Sequence, residues 1–169
     1  AAASEATGFS DFKLEVDEVP LLEARARQVR LLFTELIKNA IQNRQPHIPL
    51  HLTVRSTTVE ENSYQFSQGK YRYADYVKLE IRDNGTGFDE QYATYVMGLF
   101  NKLNPESEGM GMGLALCKKI VSNHYGAIQV SSRKDIGSTF IITLPVAQPV
   151  EPGGLGEVLH PPLPASPKY

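Results

Sequence analysis

Three residues with metal-binding and proton-accepting side chains recur at a helical interval. Glu35, Asn39 and Asn43 are each four positions apart, so a helix places them along one face. Carboxylate and carboxamide oxygens are hard ligands, and a row of them can hold Mg²⁺ and activate a bound water. A polar stripe on an exposed helix face has the same pattern. The three residues alone leave both interpretations open.

A glycine-containing segment with the sequence Asp-Asn-Gly-Thr-Gly-Phe covers residues 83–88. The carboxylate of Asp83 can accept a hydrogen bond from an exocyclic amine, and Gly85 and Gly87 let the backbone approach a flat ring closely. These properties favour an adenine pocket. The Asn-Gly step also suits an ordinary turn, which is the alternative interpretation.

A second run of alternating glycines, Gly109, Gly111 and Gly113, precedes a helical pattern. Free backbone N–H groups at a helix N-terminus favour phosphate because the helix dipole is positive there. The spacing matches neither a Rossmann turn nor a P-loop. A flexible loop is the alternative interpretation, as is a simple turn for the Gly-Ser-Thr-Phe sequence at residues 137–140.

Periodic apolar residues predict the elements that must position these groups. Apolar residues at helical spacing predict one helix over residues 22–43 and another over 113–125, with Gly126 as a left-handed cap. Alternation of apolar and polar residues predicts strands at 51–59, 73–82, 127–132 and 138–144. A sheet of these strands, covered on one face by the helices, forms an α/β two-layer sandwich.

Length and composition predict one soluble domain. The chain has 169 residues, with 17 Lys plus Arg against 19 Asp plus Glu, and a single core closes at about 150 residues. The balanced charge gives no basic surface for nucleic acid. Because the chain contains neither a bilayer-length apolar stretch nor a secretion signal, we expect neither membrane insertion nor secretion. The single cysteine, Cys117, fits a reducing cytosol and a packing role.

The distribution of proline predicts where the folded domain ends. Seven of the 11 prolines lie between Pro145 and Pro167, and a proline-rich stretch lacks the backbone donors of a central strand. We therefore expect linker or cloning residues at 1–10, the domain at 11–145 and a Pro/Gly-rich tail at 146–169. The tail is expected to be disordered, or to dock as a polyproline II segment on this domain or on a partner.

Taken in order, these segments resemble the N, G1, G2 and G3 boxes of the GHKL ATPase superfamily, which includes DNA gyrases, heat-shock chaperones, histidine kinases and MutL mismatch-repair proteins. The resemblance covers residues 13–145 and implies the Bergerat fold. This fold is an α/β two-layer sandwich whose mixed, mostly antiparallel sheet is covered on one face by about three helices. The chain is similar in particular to the catalytic ATP-binding domain of phytochrome-type and PAS-linked sensor histidine kinases, through Phe-Asp-Glu-Gln-Tyr at 88–92, Leu-Phe-Asn-Lys-Leu-Asn at 99–104 and Gly-Leu-Ala-Leu-Cys-Lys-Lys-Ile-Val at 113–121.

The resemblance also implies roles for individual residues. Asn39 is expected to hold the Mg²⁺ that is bound to the ATP phosphates, and Glu35 to orient or activate the attacking group as a catalytic residue. Asp83 is expected to accept the amino hydrogen of adenine, with help from Thr139 through its hydroxyl or a water.

Residues 97–112 are expected to form a lid that closes over the phosphates. Its hinges are Gly109 and Gly111, and Lys102 within the lid is the second expected catalytic residue, because it can supply positive charge to the phosphates. The remaining nucleotide-binding residues that the resemblance implies are Asn43, Gly85, Gly87, Phe88, Phe100, Gly113 and Leu114.

The resemblance implies ATP and Mg²⁺ as cofactors and a histidine as the phosphoryl acceptor. Because His47, His51, His124 and His160 all lie outside a His-Glu motif, we expect the acceptor on a dimerisation domain that is absent from this chain. The chain is not expected to autophosphorylate alone. A response-regulator receiver domain is the next expected partner, and the cytoplasm is the expected location.

Departures from the family pattern keep two other functions open. Gln42 stands where many kinases have Lys or Arg, and the lid is short between Asn104 and Gly109. These features fit a degenerate, non-catalytic nucleotide-binding or interaction module. Glu35 occupies a position that is Asn in many histidine kinases, which favours a gyrase-like or MutL-like ATPase.

Overall fold

Five strands and three α-helices make up the described part of the chain. The computed structural model describes residues 12–61, 74–103 and 110–148. Within these ranges there is no candidate for a membrane-spanning helix. In chain order the elements are β1 (Phe12–Val16), α1 (Ala26–Gln42), β2 (Leu50–Glu61), β3 (Ala74–Asp83), a 3₁₀ turn (Glu90–Tyr92), α2 (Ala93–Val96), α3 (Gly113–Asn123), β4 (Ala127–Arg133) and β5 (Gly137–Pro145).

The strands form one sheet in the order β1-β2-β3-β5-β4. β1 pairs with β2 in parallel, and the other neighbouring pairs are antiparallel. The sheet is therefore mixed and mostly antiparallel, as predicted. The sequence analysis missed β1, a five-residue edge strand whose apolar residues Leu14 and Val16 are exposed. A short strand with a weak burial pattern gives little periodic signal.

The helices cover one face of this sheet and bury a common core with it. In α1 the buried residues Leu32, Leu36 and Ala40 are four positions apart, which is the interval of one helix face. The predicted alternation in β3 is also present, because Val77, Leu79 and Ile81 are buried while the residues between them face the other side. These two patterns place the helices and the sheet in two layers, which confirms the predicted α/β sandwich. Further core residues are Leu50, Leu52, Val54, Val96, Met97, Cys117, Ile120, Val121, Phe140, Ile142 and Leu144.

α1 begins at Ala26, four residues later than predicted. Before it, the N–H of Glu23 donates to the Val146 carbonyl over 2.8 Å. The N–H of Arg25 donates to Nε2 of the buried His124 over 3.0 Å. These two backbone donors are used in long-range hydrogen bonds, and Arg25 has an extended conformation. The chain before Ala26 therefore packs against the end of β5 and α3 instead of adding a turn to the helix.

α3 ends at Asn123, and the chain turns there into β4. The residue in the left-handed region is Tyr125, with a φ of 56°. The prediction that Gly126 is the left-handed cap was therefore wrong by one position. Gly126 instead lies against the backbone carbonyl of Thr143, where a Cβ would collide.

The structured chain continues past the predicted end of the domain. The N–H of Val146 donates to the Asp75 carbonyl over 2.8 Å. The N–H of Gln148 donates to Glu23 Oε2 over 2.9 Å. Two residues that the sequence analysis assigned to the tail, Val146 and Gln148, are thus hydrogen-bonded to the domain. The rest of the predicted tail and the predicted N-terminal linker lie outside the described residues.

Three segments that are distant in sequence converge where β3 ends and β5 begins. β3 ends at Asp83, beside the start of β5, where the N–H of Ser138 donates to Asp83 Oδ1 over 3.2 Å. The C-terminal end of α1 reaches the same loop, because the Asn43 carbonyl accepts the N–H of Thr86 over 2.7 Å. This convergence positions the candidate site.

Candidate functional site

A cavity of about 690 Å³ lies between α1, the loop after β3 and the start of α3. Its wall brings together segments from all of the predicted glycine motifs and from the polar row of α1. The predicted site residues that line it are Glu35, Asn39, Asn43, Gly87, Phe88, Lys102, Gly111, Gly113 and Leu114. Sequence motifs that are well separated along the chain therefore form one concave surface in the fold.

The polar row of α1 faces this cavity along its length. Asn43 Nδ2 donates to the Asn39 carbonyl over 2.8 Å and to Asn39 Oδ1 over 3.2 Å. Glu35 Oε1 lies 3.5 Å from Lys38 Nζ. The row therefore presents carboxamide and carboxylate oxygens together with an ammonium group. This combination suits a phosphate chain that carries a divalent cation.

The start of α3 packs directly against Glu35. A Cβ added to Gly113 would lie 2.8 Å from Glu35 Oε2. Below this contact Cys117 is fully buried, with its Sγ 3.8 Å from the Leu32 carbonyl oxygen. Burial, and then the negative charge of Glu35, raise the pKa of the Cys117 thiol to about 12. The thiol stays protonated at neutral pH, so the predicted packing role of Cys117 is confirmed.

Asp83 is buried at the end of β3, with 5% of its surface exposed. Its Oδ1 accepts the N–H groups of Gly85 over 2.8 Å and of Ser138 over 3.2 Å. Burial raises the pKa of Asp83, and these two donors together with the Arg82 charge act in the opposite direction. Asp83 does not itself line the cavity, but it is bonded to Ser138, which does. Among the described residues, Asp83 Oδ2 has no hydrogen-bond partner, so this oxygen can accept a further donor.

Ser138, and not Thr139, occupies the cavity position at the start of β5. Side chains alternate along a strand, and Phe140 points into the core. Ser138 therefore shares the buried face with Phe140, whereas Thr139 points to the opposite face of the sheet. Ser138 is 7% exposed and lines the cavity. Two successive hydroxyl residues made the choice ambiguous in the sequence, and the register of Phe140 resolves it.

The glycine loop after β3 is held in place by backbone contacts. Gly87 has a φ of 56°, and a Cβ there would collide with the Arg133 carbonyl. Only glycine both adopts this positive φ without strain and lacks the Cβ that would collide. The next residue, Phe88, lines the cavity, and its N–H donates to Ser132 Oγ over 2.9 Å. Gly85 is buried behind this wall and does not line the cavity.

The predicted lid is described in part. Lys102 and Gly111 line the cavity on either side of residues 104–109, a stretch that includes Gly109 and lies outside the described residues. Phe100 has a φ of 60° and is 68% exposed. Its ring does not line the cavity, so the structure does not place Phe100 at the predicted nucleotide-binding position.

The cavity contains two positive side chains that the sequence analysis did not assign to the site. Lys38 and Arg44 both line the wall. With Lys102 they give the wall three positive side chains against one carboxylate, that of Glu35. The sequence position of Lys38 carried a usable signal, because Lys38 is one helical turn after Glu35, on the same face of α1. A net positive cavity suits an anionic ligand.

Gln45 is a further residue that the sequence analysis missed. Its Nε2 lies 3.0 Å from the carbonyl oxygens of Asn84 and Gly85 and 3.2 Å from that of Asp135. Gln45 thereby connects the end of α1 to the loop after β3 and to the β4–β5 turn. No local pattern marks it, because its partners are 39 to 90 positions away.

The described part of the chain is thus a mixed α/β sandwich with a glycine-lined cavity that carries net positive charge. Residues 24–148 match the family described as histidine kinase-, DNA gyrase B- and HSP90-like ATPase. The chain belongs to this family, and it is an ATPase domain of the kind found in sensor histidine kinases.

Individual relatives agree with this assignment. The chain is 36% identical over 132 residues to cyanobacterial phytochrome A of Nostoc sp. and covers 15% of that protein. It is 32% identical over 131 residues to the adaptive-response sensory kinase SasA of Synechocystis sp. and covers 30% of it. These matches cover 77% and 76% of this chain. The chain thus spans less than a third of the length of either relative.

A solved structure supports the fold. The mycobacterial sensor histidine kinase MprB superposes with a TM-score of 0.66 at 22% identity, and the match covers 87% of this chain and 90% of that chain. The likeness in backbone confirms the predicted fold class.

Proposed function

We propose that this chain binds Mg-ATP in the cavity and supplies the γ-phosphoryl group for transfer to a histidine. The observation that carries the proposal is that two kinds of chemistry line one cavity. Ser138, bonded to the buried Asp83, lies beside a glycine loop. The α1 side of the wall has carboxamides and positive side chains.

The wall near Asp83 suits an adenine ring. Gly87 and Phe88 provide a flat wall, and Asp83 Oδ2 is an acceptor for the exocyclic amino group of the base. A buried acceptor discriminates strongly between bases, because a ligand without the matching donor leaves it unsatisfied. Ser138 stands where the hydroxyl group can add a second contact, directly or through a water.

The α1 side of the wall suits the phosphate chain. Lys38 and Lys102 provide positive charge, and Asn39 Oδ1 and Glu35 provide oxygen ligands. Mg²⁺ commonly takes only one or two protein oxygens and completes its shell with phosphate oxygens and waters. The donor set therefore fits Mg²⁺, with Asn39 as the ligand residue. When bound, Mg²⁺ neutralises charge on the phosphates.

The transfer step needs a histidine that can reach the γ-phosphorus. His47, His51 and His124 are described, and none of them lines the cavity. We infer that a dimerisation domain brings its histidine to the γ-phosphorus. An N–P bond forms as the bond to the β,γ-bridging oxygen breaks and ADP leaves. Glu35 orients the attacking group, Lys102 stabilises charge on the phosphoryl group, and a receiver-domain aspartate is the next acceptor. Because the proposed reaction uses ATP, we infer that the domain is located in the cytoplasm.

Calorimetric titration of the chain with ATP, with and without Mg²⁺, tests the first part of this proposal. Micromolar to millimolar affinity that requires Mg²⁺ is the expected result. Absence of binding at millimolar ATP would refute the proposal and favour a degenerate interaction module.

The transfer is tested by adding the dimerisation domain of the full-length protein and radiolabelled ATP. Acid-labile, base-stable label on that domain is the expected result, because phosphohistidine has this stability. Rapid ATP hydrolysis by the chain alone, without label on the added domain, would instead favour the gyrase-like ATPase that Glu35 suggests.

A further inference from the structure

Ser132 joins the Asp83 side of the cavity to β4. It is the cross-strand partner of Ser138, and it lies outside the cavity wall. Its N–H donates to Glu90 Oε2 over 2.7 Å, and its Oγ accepts the N–H of Phe88 over 2.9 Å. The same Oγ lies 3.0 Å from the Gly137 carbonyl oxygen and 3.0 Å from Ser138 Oγ.

The proton positions in this cluster follow from the number of donors and acceptors. A serine hydroxyl has one proton and two lone pairs. The N–H of Phe88 occupies one lone pair of Ser132, and the Gly137 carbonyl, which can only accept, takes its proton. The remaining lone pair accepts the proton of Ser138. In the reverse arrangement, with Ser132 donating to Ser138, the Gly137 carbonyl would lose its hydroxyl partner.

The consequence is that Ser138 presents lone pairs, and not its proton, to the cavity. The neighbouring Asp83 carboxylate is also an acceptor. Two adjacent acceptors favour an exocyclic amino group, because its two N–H donors can serve one acceptor each. They disfavour a ring edge that presents a carbonyl oxygen, because that oxygen would face lone pairs.

We propose that Ser132 is a positioning residue that sets the base preference of the nucleotide site. By holding the proton of Ser138, it makes the site favour a purine with a 6-amino group over a purine with a 6-oxo group. This inference rests on the proposed nucleotide binding. Ser132 does not touch the base and acts through the hydroxyl group of Ser138.

The test compares the affinities of the full chain for ATP and for inosine 5′-triphosphate, which carries a 6-oxo group. In Ser132→Ala the proton of Ser138 is released and can donate to the carbonyl oxygen of the base. We expect the ratio of the two affinities to fall on the order of tenfold, the value of one hydrogen bond. Ser132→Thr retains the hydroxyl group and is expected to retain the ratio.

Two controls separate positioning from folding. Ser131→Ala removes the hydroxyl group of the adjacent residue, which is exposed on the opposite face of β4, and is expected to leave the ratio unchanged. Ser138→Ala is expected to lower the ratio, and adding Ser132→Ala to it is expected to have no further effect, because Ser132 acts only through the hydroxyl group that Ser138→Ala removes.

Each outcome bears on the inference. Equal loss of both affinities in Ser132→Ala, or an unchanged ratio in Ser138→Ala, would overturn it while leaving the proposed function intact. The measurement on Ser138→Ala still tests the inference if Ser132→Ala does not fold. Failure of the wild-type chain to bind either nucleotide would overturn the inference together with the proposed function.

Discussion

Replacement of Asp83 by Asn is expected to abolish base recognition without destabilising the fold. The asparagine oxygen can accept the same two N–H groups, from Gly85 and Ser138, that Asp83 Oδ1 accepts now. Only Oδ2 changes, from an acceptor to an NH₂ donor. The fold therefore keeps its internal hydrogen bonds, and the ligand loses its acceptor.

The size of the effect on binding follows from that one atom. A hydrogen bond to a charged acceptor contributes roughly 1.5–3 kcal/mol, and the new NH₂ group opposes the amino group of the base. We expect the affinity of Asp83→Asn for ATP to fall on the order of 100-fold, since 1.4 kcal/mol corresponds to about tenfold. Isothermal titration calorimetry measures this directly.

The effect on stability has the opposite direction. Because burial raises the pKa of Asp83, the folded protein holds this proton more tightly than the unfolded chain. Stability from this group is therefore lost as the pH rises from the unfolded pKa through the folded pKa. Asp83→Asn removes that loss, so its melting temperature at pH 7 is expected to equal or exceed that of the wild type.

A matched control uses Asp89→Asn, because Asp89 is exposed and its side chain caps no helix. This variant is expected to keep both the affinity and the melting temperature. A fall in the melting temperature of Asp83→Asn that parallels the loss of binding would refute the reasoning, since Asp83 would then be needed for the fold. Unchanged ATP affinity would refute its role in base recognition.

Three further changes test other parts of the site. Cys117 is buried with its pKa raised to about 12, so iodoacetamide at pH 8 is expected to label it only after unfolding; fast labelling of the folded chain would contradict this burial. Gln45→Ala removes the contacts to three carbonyl groups and is expected to lower the free energy of unfolding by about 1–3 kcal/mol in urea titrations. The control Gln91→Ala, at an exposed position, is expected to have no effect. Equal stability of the two variants would show that the contacts of Gln45 contribute little. Asn39→Ala is expected to reduce the gain in ATP affinity on adding Mg²⁺, and the exposed Asn123→Ala to retain it; an equal loss without Mg²⁺ would count against Asn39 as the metal ligand.

The predictable part of the fold is the part with strong local periodicity. α1 repeats buried residues every four positions, and β3 alternates strictly, so their existence followed from the sequence. The start of α1 did not, because the chain before Ala26 is held by contacts to Val146 and His124, which lie far away in the sequence. β1 was not predicted, because an exposed edge strand buries too few of its side chains to show an apolar face in the sequence.

The predictable part of the site is the part that lies within single motifs. Glu35, Asn39 and Phe88 belong to short patterns that have a local chemical meaning, and all three line the cavity. Thr139 was assigned in place of Ser138 because a motif specifies residue types, while the facing of a side chain depends on strand register. Register is set by the pairing of strands and by the core.

The residues that the sequence did not reveal are those that connect one motif to another. Gln45 bonds to carbonyl groups on two loops, and Ser132 joins the loop at Phe88 to the start of β5. Such residues have no partner within their own segment, so their contacts exist only once the chain has folded. The cavity is therefore assembled by the same long-range contacts that stabilise the domain. A ligand that binds only the assembled cavity adds its binding free energy to the stability of the fold, so a nucleotide that binds this cavity is expected to raise the resistance of the chain to unfolding.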